Sequence, residues 1–331
     1  MSELHKFLFD GVPVRGMLVR LDGAWAEILS RRAASELTGA YPPPVTELLG
    51  EMTAAAALMQ SNIKFKGSLT LQIFGDGPVK VAVAEANAEL GLRATATING
   101  DVESDARLAA LVNVGNKGRC AITLQPLERS AGQQPYQGVV PLHDDRHDKL
   151  DKLSDVLQHY MLQSEQLDTT LVLAANEEVA AGLLIQRMPV GGLRNIEGER
   201  RAQGVADEDE IGRNEDYNRI AILASSLTRG ELLTLDADTI LRRLFWQEKL
   251  LRFEPQAGTG GPHFACTCSR ERVATMIQSL GREEADSIVA ERGDIEVACD
   301  FCGKQYVFDA VDAASLFTPP GYQAPGTDAV Q

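Results

Sequence analysis

The sequence of 331 residues lacks the long apolar run that a membrane-spanning helix requires. No stretch approaches about 18 consecutive apolar residues, and the Ala-rich segment 54–59 is only a short helical face. An acidic side chain, Glu3, comes before the apolar core of an export signal could form. We therefore expect a cytoplasmic protein that does not bind membranes, in a compartment that keeps thiols reduced.

Basic residues are scarce relative to acidic ones. Lys and Arg number 32 against 47 Asp and Glu, which gives a formal net charge of −15 at pH 7. Such a charge repels phosphate backbones and anionic lipid, so nucleic acid is not an expected partner. Hydrophobic residues make up 44% of the chain, an ordinary share for a folded protein, which argues against wholesale disorder.

Residues 1–188 have the pattern of a domain that mixes strands and helices. Apolar and polar residues alternate over 69–73 and again over 79–83, a period of two that is typical of half-buried strands. Further strands are predicted at 91–98, 119–124, 136–142, 169–174 and 181–188. Helices are predicted from Val45 to Met59 and from His147 to Gln166, because apolar residues recur on one face. Without regular βαβ alternation, this pattern favours the α+β class.

Residues 189–262 are expected to form a charged, helical linker after this core domain. The stretch 194–217 contains 12 charged residues in 24, which predicts a solvated, mobile segment. Two amphipathic helices are predicted next, at 214–228 and 236–247, the second capped by Asp236 and carrying Phe245 and Trp246 on its packing face. Neither helix can form a domain alone, so both should dock on the core domain.

Four of the five cysteines are concentrated in a small C-terminal region, predicted as a zinc-binding domain over 263–317 with a disordered tail over 318–331. They are Cys266, Cys268, Cys299 and Cys302, spaced as C-x-C, 30 residues and C-x-x-C. Zn²⁺ takes four thiolates tetrahedrally, so we predict one Zn²⁺ per chain and no place for a catalytic water. A region of 55 residues has a marginal core, so its folding should depend on the metal. Cys120 is predicted to be a small buried residue of a strand.

Two roles for this cysteine site follow from the residues. A purely structural metal site is the commonest fate of four cysteines in a cytosolic protein. The C-x-C pair adds a second role, because a disulfide between residues two apart is strained and therefore reducible. Oxidation of a ligand would also convert a thiolate into a sulfenate or disulfide that binds zinc poorly. The residues alone leave both roles open.

The two cysteine motifs are the most specific sequences in the chain, CTCSRER at 266–272 and CDFCG at 299–303. Weaker blocks occur in a consistent order at Tyr41–Val45, Lys64–Gly67, Gly75–Pro78, Tyr136–Val140, Gln163–Leu167 and Ala180–Gln186. In these motifs the chain resembles the redox-regulated 33 kDa chaperonin family of bacteria, over about residues 5–317.

The resemblance implies a chaperone that holds unfolding proteins without ATP and is not an enzyme. In that family the reduced form carries zinc on the four cysteines and is inactive. Oxidants, together with unfolding conditions, form two disulfides and expel the metal; carried over to this chain, these are Cys266–Cys268 and Cys299–Cys302. The linker would then unfold, and the protein would form a homodimer and bind unfolding client proteins. No P-loop pattern occurs in the sequence, in keeping with an ATP-free mechanism.

Three alternatives predict different features. A thiol–disulfide oxidoreductase would place one C-x-x-C at a helix start in a thioredoxin-like setting, whereas Cys299 follows a strand-like run. A constitutive zinc-stabilised protein-binding module would have the same activity in both redox states. A zinc-ribbon nucleic-acid binder would need a basic surface, but residues 263–317 contain five Arg or Lys against ten Asp or Glu.

Overall fold

A computed structural model describes residues 1–34, 39–128, 135–188 and 214–318 of the chain. The chain divides into two compact units, Met1–Ala265 and Cys266–Gln331, and it is of the mixed α+β class that the sequence predicts. The domain limits set from the sequence remain predictions. Most of the predicted mobile stretch, and the predicted tail from residue 319 onward, lie outside the described residues. None of the helices described is both long and apolar enough to cross a bilayer.

The first unit consists of groups of two or three consecutive strands separated by one to three helices. Its strands are β1 (Glu3–Phe9), β2 (Val14–Leu21), β3 (Gly67–Phe74), β4 (Val79–Asn87), β5 (Gly91–Ile98), β6 (Arg119–Pro126), β7 (Tyr136–Pro141), β8 (Thr169–Ala175), β9 (Ala180–Arg187), β10 (Leu250–Arg252), β11 (Gln256–Ala257) and β12 (His263–Phe264). Its helices are α1 (Gly23–Ala33), α2 (Pro43–Asn62), α3 (Leu108–Val112), α4 (Leu153–Glu165), α5 (Glu215–Ser225), α6 (Arg229–Thr234) and α7 (Ala237–Leu244).

These strands form two six-stranded sheets. The first has the order β10-β1-β2-β9-β8, with β11 also paired to β1, and the second has the order β12-β5-β4-β3-β6-β7. Helix α2 contacts strands of both sheets and lies between them. Its alanines from Ala54 to Ala57 are fully buried, because small side chains let a helix pack against a sheet on two sides. The Ala-rich segment is therefore the centre of the core.

The outer face of the first sheet is covered by helices α5, α6 and α7, as predicted for the amphipathic segments. Together they bury an apolar cluster of side chains from both layers, chiefly Phe7, Phe9, Val14, Leu18, Leu183, Tyr217, Ile220, Leu232, Ile240, Leu241 and Phe245. The helix predicted over 214–228 ends at Ser225, and a new helix starts after Thr228, whose side chain forms a capping box with Glu231. Asp236 caps α7 through a hydrogen bond from the Thr239 amide, as predicted.

The prediction that Trp246 lies on this packing face is wrong. Helix α7 ends at Leu244, and Phe245 has left the helical conformation (φ −120°, ψ 32°). The chain therefore turns, so that Phe245 is 2% exposed and packs on the ring of Phe9 at 5.0 Å, while Trp246 is 73% exposed.

Two other segments differ from the sequence prediction. The sequence predicts no strand at β1 or β2, because neither shows a clean alternation of apolar and polar residues. The alternation is missing because α2 covers one face of their sheet and α5 to α7 cover the other. Helix α4 starts at Leu153 instead of His147, because the Asp144 side chain accepts hydrogen bonds from the amides of Arg146 and Asp148. Such local bonds compete with a helix and favour a turn.

The neighbours Phe245 and Trp246 allow a matched test of how the outer helices are held. Phe245→Ala removes a buried ring and should cost about 3–5 kcal/mol of unfolding free energy, whereas Trp246→Ala should change it by less than about 0.5 kcal/mol. Denaturant unfolding and limited proteolysis of residues 214–245 measure both effects. Equal stability of the two variants would contradict the packing described here.

Candidate metal centre

The second unit is a small module built around a β-hairpin. Its elements are α8 (Arg270–Leu280), α9 (Arg282–Arg292), β13 (Asp294–Ala298), β14 (Gln305–Asp309) and α10 (Ala310–Leu316), with β13 and β14 antiparallel. Between the cysteine pairs the sequence predicts two helices, at 270–280 and 283–291, and a strand at 295–298, and all three are confirmed. The buried core consists of few side chains, namely Ile277, Ala285, Ile295, Tyr306, Phe308 and Ala313.

Each cysteine pair is positioned by a turn of the backbone. Cys266 and Cys268 precede α8, which starts where the Ser269 hydroxyl accepts a hydrogen bond from the Arg272 amide at 3.3 Å. The other pair lies in the turn between β13 and β14. There the Cys299 amide donates to the Lys304 carbonyl at 3.0 Å, and Gly303 donates back to Cys299 at 2.8 Å. Gly303 has φ +69°, a conformation that glycine adopts without strain.

The two turns bring all four sulfur atoms together. The Sγ atoms of Cys266 and Cys299 are 3.7 Å apart, those of Cys268 and Cys302 are 3.4 Å apart, and all four lie within 4.8 Å of one another. No disulfide joins them. A tetrahedral ion with metal–sulfur bonds of 2.3 Å would have sulfurs about 3.8 Å apart, so this donor set has the size and chemistry to hold a thiophilic metal ion.

The four thiols differ in their electrostatic environment. Burial favours the neutral form of Cys268, but hydrogen bonds from Tyr306 at 3.1 Å and from the other thiols outweigh it and lower the pKa of Cys268 to about 7. Burial instead raises the pKa of Cys299 and of Cys302. Of these three thiols, Cys268 therefore carries the largest thiolate fraction in the metal-free module.

Two arginines beside the first pair hold the loops in place. Arg272 donates to the carbonyl and the hydroxyl of Thr267, at 2.8 and 2.6 Å. Arg270 donates to the Val307 carbonyl at 2.8 Å, and its guanidinium lies 4.1 Å from the centre of the Phe308 ring. Arg270 thus ties the start of α8 to the hairpin, and Arg272 fixes the loop between Cys266 and Cys268.

The fifth cysteine, Cys120, is not part of this cluster. It lies on β6 in the first unit, where complete burial raises its pKa to about 12, so the prediction of a small buried residue is confirmed.

Tyr306 is the residue of the site that the sequence analysis did not identify. In the structure, exposed and buried residues alternate from Gln305 to Asp309, which places Tyr306 on the inner face of β14; the available sequence signal was the β-favouring run of Tyr306, Val307 and Phe308 soon after the second cysteine pair.

Comparisons with known proteins agree across nearly the whole chain. The family model described as Hsp33 protein matches residues 2–309. The chain is 43% identical over 316 residues to the 33 kDa chaperonin of Chromobacterium violaceum, covering 96% of this chain and 94% of that protein. It is 40% identical over 326 residues to the 33 kDa chaperonin of Shewanella woodyi, covering 98% of each.

A solved structure supports the fold. The crystal structure of the 33 kDa chaperonin from Thermotoga maritima aligns with a TM-score of 0.68 at 20% identity, covering 95% of this chain and 97% of that one.

The hydroxyl of Tyr306 provides a test of the site that leaves every sulfur in place. Tyr306→Phe removes its hydrogen bond to Cys268 and should weaken binding of Zn²⁺, used as the probe ion, by about 10- to 100-fold, the usual effect of losing a partner of a metal ligand. Competition with a chromophoric chelator measures the affinity. Tyr160→Phe, which removes a hydroxyl in the first unit, is the control, and equal Zn²⁺ affinity of both variants would contradict the prediction.

Proposed function

This chain belongs to the Hsp33 family of chaperones, and we propose that it is a redox-regulated holdase, active without ATP and switched on by oxidation of its four clustered cysteines. The observation that carries the proposal is the cluster itself, four sulfurs within 4.8 Å in a module with a small core. It supports a role in which the same atoms stabilise the module and sense oxidants. The protein is expected to act in the cytoplasm on unfolding proteins and to have no catalytic activity.

In the reduced protein, Cys266, Cys268, Cys299 and Cys302 would hold one Zn²⁺ as thiolates. Soft sulfur donors in a tetrahedral arrangement favour zinc among the common cellular ions. When bound, the ion would supply folding free energy of about 10–16 kcal/mol, as in comparable zinc peptides, to a module whose own core is small.

Oxidation would remove these donors in pairs. By the family resemblance, the pairs are Cys266–Cys268 and Cys299–Cys302. In each pair two thiolates give two electrons to the oxidant and form one sulfur–sulfur bond; hydrogen peroxide takes up these electrons and two protons from the solvent and is reduced to two molecules of water. Disulfide sulfur is a poor ligand for zinc, so the module would lose the metal and its main source of folding energy.

The linker, residues 189–262, would be the part that responds. Its helices α5 to α7 cover the apolar outer face of the first sheet, and their release would expose that face together with their own apolar side chains. The oxidised protein would form a homodimer and bind unfolding client proteins through such surfaces. In the state described, this apolar area is buried.

Two other functions are less well supported. A thiol–disulfide oxidoreductase needs its reactive cysteine at a helix start, whereas Cys299 lies in a turn between two strands. A constitutive binding module would use its surfaces in both redox states, but the apolar cluster of the outer helices is closed here while the cysteines are free thiols.

An oxidant titration tests the whole proposal. Hydrogen peroxide with mild heating should release about one Zn²⁺ per chain, and suppression of the aggregation of a heat-unfolded client should rise in parallel. A metal-sensitive dye and light scattering follow the two quantities in one sample. Equal suppression by reduced and oxidised protein would instead show a constitutive chaperone.

Removal of one ligand should imitate oxidation in part. Cys266→Ser should lower the Zn²⁺ affinity at least tenfold and make residues 214–264 more sensitive to protease without any oxidant, because three thiolates leave the coordination incomplete. Cys120→Ser is the control, since Cys120 is buried in the other unit. Unchanged metal binding and protease resistance in Cys266→Ser would count against the proposal.

A further inference from the structure

Helix α6 is the outer helix that buries the least apolar surface against the first sheet. Of its six residues only Leu232 is buried, whereas α5 buries Tyr217, Ile220 and Ala224, and α7 buries four side chains. Because burial of apolar area is the main favourable term in docking, α5 and α7 are held by their own faces. The position of α6 must depend more on its polar contacts.

Arg229, the first residue of α6, makes two such contacts with the inner layers. Its Nη1 atom lies 2.6 Å from Oε1 of Glu47 on α2, and its Nη2 atom donates to the Ala175 carbonyl at the end of β8, also at 2.6 Å. Strand β8 is the edge of the first sheet, so this side chain reaches from the outer helices past that edge to α2. One planar guanidinium therefore joins the outer layer, the sheet and the inner helix.

The stability of α6 alone does not account for this arginine. The N-terminal end of a helix carries a partial positive charge, so a cation in the first turn is unfavourable there. The capping box of Thr228 and Glu231 already satisfies two backbone amides at this end. The contribution of Arg229 therefore lies in its contacts with Glu47 and Ala175.

The charge at this junction comes from Glu47. Burial, together with repulsion from Glu47, raises the pKa of Glu51 on the next turn of α2 to about 8, so Glu51 is mostly protonated at pH 7. The side chains of Arg229 and Glu47 are 46% and 45% exposed, and an exposed ion pair alone contributes little. Here, however, the same guanidinium also donates a charge-assisted hydrogen bond to a backbone carbonyl, which fixes its orientation.

We propose that Arg229 is the closing contact of the outer helices in the inactive state, and that loss of its two bonds opens the outer layer at α6 without any change at the cysteines. The inference rests on the proposed holdase function and names a residue that regulates it. Arg229 acts as a positioning residue: by holding α6 in place, it opposes exposure of the apolar cluster beneath α5 to α7.

Hydrogen exchange in the reduced, Zn²⁺-loaded full-length protein tests this directly. Arg229→Gln removes both contacts and should make the helical amides of 232–235 exchange about tenfold faster, the effect of losing one hydrogen bond to a charged group. Arg243→Gln is the matched control, because Arg243 also makes a 2.6 Å ion pair, but with Glu231 inside the outer layer. The control should change the exchange by less than twofold, and both variants should bind Zn²⁺ with equal affinity.

Two further variants distinguish the paired contacts from charge alone. Arg229→Lys keeps the charge but cannot reach both oxygen atoms with one planar group, so exchange should be only about threefold faster than in the wild type. Glu47→Gln removes one partner, and the double variant with Arg229→Gln should exchange no faster than Arg229→Gln alone. Circular dichroism and thermal unfolding establish that each variant is folded.

Aggregation suppression links the contact to regulation. At a fixed concentration of hydrogen peroxide, Arg229→Gln should begin to suppress client aggregation at a temperature at least about 2 °C lower than the wild type, because less heat is needed to release the outer layer. Arg243→Gln should become active at the same temperature as the wild type.

The outcomes separate this inference from the function on which it rests. Equal exchange of Arg229→Gln and Arg243→Gln, or additive effects in the double variant, overturns the inference. An unchanged activation temperature despite faster exchange also overturns it, because the contact would then hold α6 without regulating release. In these cases aggregation suppression by the oxidised wild type leaves the holdase function standing. Failure of the oxidised wild type to suppress aggregation overturns both.

Discussion

The convergence of four sulfur atoms is the constraint on which the second unit depends. Among its described residues, up to 318, the buried core contains six side chains, two of them alanines, and the sheet consists of two strands. A two-stranded hairpin is marginal in water, and a core of this size adds little. The cysteine cluster would therefore supply the stability that a larger hydrophobic core provides in other domains. Because thiolates are both metal ligands and the groups that oxidants attack, a module stabilised by a metal ion on these sulfurs, as proposed above, would lose that stabilisation on oxidation.

The buried side chains of the first unit form two separate apolar clusters, which bears on the proposed release of the outer helices. The first sheet separates two apolar clusters, an inner one around α2 and an outer one beneath α5 to α7. The inner cluster includes Met52 and Leu58 of α2 together with side chains of both sheets, and it does not depend on the outer helices. Loss of the outer layer would expose Phe7, Phe9 and Leu18 while the sandwich of two sheets and a helix stays intact. A stable surface for binding unfolded chains would result.

The sequence predicts those parts of the molecule in which one local signal dominates. Cysteine spacing identified the four residues that the fold brings together, and helical periodicity identified α2 and the outer helices. No local signal identified β1 and β2, because strands covered on both faces lose the alternation of apolar and polar residues by which strands are recognised. Helical periodicity also misplaced Trp246, because the helix predicted to reach residue 247 ends at Leu244 and the backbone turns at Phe245. The hydrogen bond from Tyr306 to Cys268 could not be predicted either, since it joins residues 38 positions apart through the hairpin register.

The segment between the outer helices and the cysteines suggests how the two could be coupled in the proposed mechanism. After α7 the chain is attached to the sheets by three short pairings: β10 and β11 on β1, and β12 on β5. Each offers only a few hydrogen bonds, worth about 0.5–1.5 kcal/mol apiece. The last of them, at His263 and Phe264, ends two residues before Cys266, and Ala265 still donates to the Leu92 carbonyl. If the second unit unfolds as proposed, these weak pairings would be lost first, in the order β12, β11 and β10, and α7 is the helix that precedes them in the chain.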